Sequence, residues 1–272
     1  MRTLQKKRLK QIISIENEQG LTTDKVLCEW GPQHCCIAGW SDSNNRATEI
    51  GYYSFQKITP DVIRSIFQTI RKTNSSAPVY FCSEFPEALL IPLKWGTQGA
   101  QLWQSFYSSN APVLTDTVDQ WQVVVAHAVP SLLLNEAEAQ FSAAAFCHGF
   151  SNSLKVHNGF IANDSLSVHF TPYNFRVIAR KDGQLFLAQM YPYQTPLDVV
   201  YYLLKICEEF NMPKDILYVV VSGLIEESSA LYTELTNYFQ TVQFAATPAI
   251  INHASYPPHY FTTLYNLSAC AS

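Results

Sequence analysis

The sequence predicts an α/β protein of two similar lobes, each a mixed sheet of order strand, strand, strand, helix, strand, covered by helices. Three observations carry that prediction. A Thr-Pro helix start occurs twice, half a chain apart; three short strand-like runs precede each start; and a short apolar run follows each helix.

Taken in order, residues 1–23 read as a basic N-terminal arm, with Arg2, Lys6, Lys7, Arg8 and Lys10 and no acid among the first ten. Lobe one spans 24–150. Its expected strands are Val26–Trp30, His34–Trp40 and Ala47–Phe55, parted by Gly31-Pro32 and by Asp42-Ser43-Asn44-Asn45. Breakers at these lengths mark consecutive hairpins. Thr59 offers an N-cap oxygen and Pro60 a preset φ at the first helical position. Ile63, Ile66, Phe67 and Ile70 then recur at helical spacing, and Val79–Ser83 reads as the fourth strand. Residues 84–120, rich in Pro, Gly, Gln and Ser, read as an irregular insertion with a helix at Gln98–Phe106. Trp121–Val129 reads as a further lobe-one strand, followed by a helix at Ser131–Phe141 and the run Ala143–His148.

Lobe two spans 151–272 and repeats the pattern. Ser165–Phe170, Asn174–Arg180 and Gln184–Met190 are parted by Thr171-Pro172 and by Lys181-Asp182-Gly183, the last a strong hairpin signal. Thr195-Pro196 starts the second helix. Its stretch Leu197–Phe210 is apolar almost all round, which predicts deep burial, Tyr201 and Tyr202 included. Leu217–Ser222, a helix at Ser228–Phe239 and the strand Val242–Phe244 follow. The tail from Pro248 folds back on one lobe or the other.

The formal net charge of −4 gives no general attraction to phosphate backbones. Nucleic-acid binding is therefore disfavoured, with the basic arm as its one route. No apolar stretch approaches the about 20 residues a membrane span needs. Seven cysteines, an odd number mostly inside apolar runs, read as reduced core thiols of a cytoplasmic protein. Cys28 with His34, Cys35 and Cys36 has zinc-ligand chemistry, but adjacent strand residues point to opposite faces, so no metal is expected. His127, Cys147 and His148 offer a thiol and a base, with Cys147 set in an apolar run.

The duplicated order resembles the actin-like ATPase superfamily, with its ribonuclease-H-like lobes. The segment Phe186 to Leu204, with Val221-Ser222-Gly223 and Ala230-Leu231-Tyr232, is similar to an uncharacterised bacterial family assigned to that fold. The resemblance implies a fold and not an activity. Active members of the superfamily hold ATP with a hairpin in each lobe that carries Asp, Gly and a hydroxyl residue. Here the first turn reads Glu29-Trp30-Gly31-Pro32-Gln33, and Pro32 removes a donor; the second reads His169-Phe170-Thr171-Pro172-Tyr173, with neither Asp nor Gly. Ser222-Gly223 stands where a glycine pair would meet the base, and a lone Gly also serves an ordinary turn. Glu29, Gly31, Ser222 and Gly223 are thus the candidate residues of a degraded nucleotide cleft, with no cofactor expected. The favoured function is a non-catalytic scaffold that binds another protein. The alternatives are a nucleotide-dependent enzyme with Glu29 as Mg²⁺ ligand, or a nucleic-acid partner engaged through the arm.

Overall fold

The computed structural model describes residues 9–16, 20–74, 76–156, 164–250 and 256–271. Within the expected arm, Lys10–Ile15 forms strand β1, whose Ile13 and Ile15 turn inward. The basic residues before Leu9 lie outside the described residues. The expected hairpins follow as β2 (Lys25–Trp30), β3 (His34–Ser41) and β4 (Arg46–Ser54), and β1 pairs antiparallel with β4. Helix α1 (Pro60–Thr73) starts as expected: Thr59 Oγ1 accepts from the Val62 N–H at 3.3 Å, and Ile63, Ile66, Phe67 and Ile70 are buried. Strand β5 (Val79–Ser83) returns parallel to β2.

Residues 84–120 are more regular than their composition suggests. They contain β6 (Ala88–Pro92), α2 (Gly99–Phe106) and β7 (Val113–Val118). Strand β8 (Val123–Ala128) is the run expected in the lobe-one sheet, yet it forms the centre of a separate antiparallel sheet of order β6-β8-β7. The reason is that β8 is covered on both faces. Ala126 and Ala128 pack with Trp103 of α2, and Val125 with Phe150 and Leu154 on the other side. A run apolar but for His127 fits almost any buried strand, so the run alone cannot choose its sheet. Helix α3 (Ser131–Gln140), strand β9 (Ala144–His148) and helix α4 (Gly149–Lys155) follow, completing a six-stranded sheet of order β1-β4-β3-β2-β5-β9.

The second sheet comprises β10 (Ser165–Phe170), β11 (Asn174–Lys181), β12 (Gln184–Pro192), β13 (Tyr218–Gly223) and β14 (Thr241–Phe244) in the order β12-β11-β10-β13-β14. Helices α5 (Pro196–Glu209) and α6 (Ala230–Tyr238) cover it. The order β4-β3-β2-β5 is repeated as β12-β11-β10-β13. Leu27 pairs with Ala38 where Ser167 pairs with Ile178, so hairpin residues 140 apart correspond. The correspondence reaches details: register shifts fall at Gly39/Trp40 and at Ala179/Arg180. Asp24 accepts from the Asp42 N–H at 2.8 Å, and Asp164 from the Asp182 N–H at 2.9 Å.

Helix α5 departs from expectation. Thr195 and Asp198 form a reciprocal cap and Val199, Val200, Leu203, Ile206 and Cys207 are buried, but Leu197 and Tyr201 are 56% and 58% exposed. Apolar composition fills a helix surface all round; the sheet covers only one side of it. The tail forms α7 (Thr262–Cys270), which lies between the lobes, touching β2 and β5 on one side and β13 and α4 on the other. Lys25 Nζ donates to the Ser268 and Ala271 carbonyls at 3.0 and 2.8 Å, capping its C-terminus. No helix among the described residues is long and apolar enough to cross a membrane.

Candidate functional site

The two hairpin turns bring corresponding residues face to face. Glu29 is the last residue but one of β2, on the side that faces lobe two, and His169 occupies the matching place on β10. Their side chains meet at 3.8 Å, both buried. His34 Nε2 donates to Glu29 Oε1 at 3.1 Å, and the His34 ring stacks on Tyr52 with centroids 5.8 Å apart. His169 Nδ1 meets Ser222 Oγ at 3.0 Å and its Nε2 meets Thr263 Oγ1 at 3.2 Å. Helix α7 therefore closes the centre from the side.

A second interlobe pair lies beside the first. Glu84, just past β5, is 1% exposed, and Arg176 of β11 places Nη1 3.2 Å from its Oε1. The contact is an ion pair without hydrogen-bond alignment. It is made over Gly149, where any Cβ would collide with both the guanidinium and the carboxylate.

Burial by itself pushes the Glu29 carboxyl up, but the His34 hydrogen bond and the neighbouring histidines and Thr263 hydroxyl bring it down to about 2. Burial pulls His169 down to about 3, with Arg176 adding to the effect, so this ring is neutral near pH 7. It is the His34 contact that holds Glu29 ionised. Burial pushes Glu84 up to about 7 against the pull of Arg176, with Glu29 adding to the rise.

Ligand atoms of Glu29, Glu84 and His169 lie within 4.8 Å of one another, the only such trio of potential metal ligands among the described residues. Arg176 already faces Glu84, and His34 Nε2 already donates to Glu29. The four residues singled out in the sequence fall in this centre. Gly31 leaves the room that the His34 imidazole fills, and its N–H donates to the His34 carbonyl at 3.0 Å. Thr171, its counterpart, donates to the Asn174 carbonyl at 2.9 Å. Ser222 holds His169. Gly223, at φ +78, lets its backbone press against Phe170, where any Cβ would strike the Phe170 carbonyl oxygen. Its geometry is that of a tight strand end.

The other expected clusters resolve differently. Cys28 and Cys35 bring their sulfurs to 3.4 Å in the core under α1, while Cys36 points into the opposite core with α7. His127 and His148 pair with other groups than Cys147. His127 sits 3.5 Å from Asp116 of β7, which also accepts from the Ser151 hydroxyl and, at 2.7 Å, from the His148 N–H. His148 caps α4, its Nδ1 accepting from the Phe150 N–H and its Nε2 donating to the Phe85 carbonyl. This buried clasp ties the three-stranded sheet to α4.

Nothing among curated proteins matches the sequence. Among solved structures, a Bacteroides thetaiotaomicron protein of actin-like ATPase fold and unknown function is similar over 90% of this chain and 96% of its own, at 13% identity and a TM-score of 0.70. A structure of the PilM-PilN type IV pilus biogenesis complex is similar over 91% of this chain and 98% of its own, at 11% identity and a TM-score of 0.62. The fold is that of the actin-like ATPases. The profile of one family, described as "Protein of unknown function (DUF3822)", matches residues 79–242, more than half of the chain, and the protein belongs to that family.

Proposed function

We propose that this protein is a two-lobed actin-like scaffold that binds a protein partner and does not turn over nucleotide. The observation that carries this reading is the closed centre, where Glu29 meets His34 and His169 between the two hairpin turns. A magnesium triphosphate needs free backbone N–H donors and carboxylates facing an open space. The Gly31 and Thr171 N–H groups are taken by their own turns, and Pro32 and Pro172 have none. The shared hairpin register supports an internal duplication whose phosphate-holding residues have been replaced.

A partner would find an uncharged edge on lobe two. Strand β12 ends its sheet, runs nine residues without a charge, and exposes Phe186. Long uncharged edges invite strand addition. The corresponding edge in lobe one, β4, already carries an added antiparallel strand, β1. The similar fold in the PilM-PilN complex gives precedent for assembly with another protein.

Thermal unfolding with and without MgATP at millimolar concentration tests the reading. No rise in Tm is expected, whereas ligand at 100 times its Kd would add about 2.7 kcal/mol to stability. A clear rise that disappears in Glu29→Ala would replace the scaffold reading with the enzyme one.

A further inference from the structure

The two lobes act as controls for each other. In lobe one the inner face of the sheet presents Leu27, Cys36, Ala38 and Trp40, all buried in an apolar core with α7. The corresponding residues of lobe two are Ser167, Arg176, Ile178 and Arg180. A surface that packs dry in one lobe is thus polar and cationic in the other. It borders a cleft of about 370 Å³ that runs between this sheet, α4 and α7 and whose wall includes His169 and Ser222 of the centre between the hairpin turns. That volume lies within the usual range for small-molecule sites.

We propose that this cleft binds a small organic anion, a carboxylate, sulfonate or phosphate ester on an apolar or aromatic body, with Arg180 holding the anionic head. Among the described residues, Arg180 forms none of the ion pairs and no Asp or Glu lines the cleft. Its Nη1 donates to Ser167 Oγ at 3.3 Å, and its buried Nε has no hydrogen-bond partner among the described residues. The guanidinium lies 5.3 Å over the Trp121 ring. Trp121 is itself fixed by its indole N–H on the Leu154 carbonyl at 3.1 Å. A cation held in this way, half out of water and without a carboxylate, is matched by a ligand anion with bidentate geometry. A second unfilled group points the same way. Asn266, 1% exposed on α7 and part of the cleft wall, leaves its Oδ1 without a partner among the described residues, ready for an N–H or O–H on the ligand. The apolar remainder, Ile178, Val220 and Phe244 among it, suits the body. Arg176 also lines the cleft, but its Nη1 already faces the Glu84 carboxyl at 3.2 Å.

Anilinonaphthalene sulfonate is the probe, titrated by fluorescence against the folded protein, with neutral phenylnaphthylamine as its uncharged match. We expect one saturable site per chain, with the neutral compound at least tenfold weaker. Arg180→Gln should weaken the sulfonate at least tenfold and leave the neutral compound unchanged, and Arg180→Lys should fall between. Naphthoate and naphthyl phosphate, as competitors, distinguish a carboxylate site from a phosphate site. Ala246→Trp, at the exposed mouth of the cleft, should abolish binding without touching Arg180, and it keeps the test open should Arg180→Gln not fold. Equal affinity for charged and neutral probes, unchanged binding in either variant, or no saturable binding would overturn the proposal.

Discussion

Arg176 and Glu84 come from different lobes, 92 positions apart, and neither is marked by any local pattern. Removing one member of a buried pair leaves the other uncompensated, which costs about 3–5 kcal/mol. Arg176→Met should destabilise by that amount in urea unfolding, and adding Glu84→Leu should restore most of the loss. A loss below about 1 kcal/mol in the single variant would show that the pair does not hold the lobes. Single residues were legible only where the backbone dictates the type. Gly223 reads as a turn because glycine tolerates positive φ. Glu29 and His169 read as departures from a phosphate-binding pattern, but their mutual contact was hidden, because a pair across the lobes leaves no trace in spacing.

At the scale of the element, capping and periodicity told most of the story. Thr59 and Thr195 both cap 14-residue helices. What they could not tell is how much of a helix its neighbours cover. Leu203 of α5 is fully buried and Leu197 is more than half exposed. Leu203→Ala should therefore destabilise by about 2–5 kcal/mol, while Leu197→Ala stays within about 0.5 kcal/mol. Similar losses at both positions would mean that another surface covers α5 in solution. Strand β1 and the three-stranded sheet escaped sequence reading for a different reason. Charge obscured the inward Ile13 and Ile15, and β8 is apolar on both faces, so neither announced its partner strand.

The whole molecule should lose stability on acidification in two stages. His148, pulled down by burial and the charge of His127, and His169 each stand near 3 against an ordinary 6.5. Between those values the unfolded chain takes up protons that the folded chain refuses, so stability falls as pH drops through that window. Glu84 opposes them. Raised to about 7, it keeps a proton that the unfolded chain releases above 4.5, so its contribution is present at low pH and lost as pH rises from 4.5 to 7. Below 4.5 that opposition ends and Glu29, held near 2, joins the loss. Unfolding free energy should decline gently from pH 6.5 to 4.5 and more steeply below, each uncompensated group adding up to about 1.4 kcal/mol per pH unit. A profile flat down to pH 4 would contradict the neutral burial of both histidines. At this scale the duplicated order was plain from the sequence, since each lobe repeats its local signals. The closure of the space between the lobes was not.

That closure depends on α7, whose residues follow both sheets in the chain and contribute Leu264 and Leu267 to the apolar core beneath β2 and β3. A ribosome makes about 5–20 residues per second from the N-terminus onward. During synthesis every strand of both sheets is therefore made before the helix between them. Until residues 262–270 emerge, the inner face of lobe one, with Leu27, Cys36 and Trp40, stands uncovered. Joining the two lobes through α7 thus waits until the strands of both have been made.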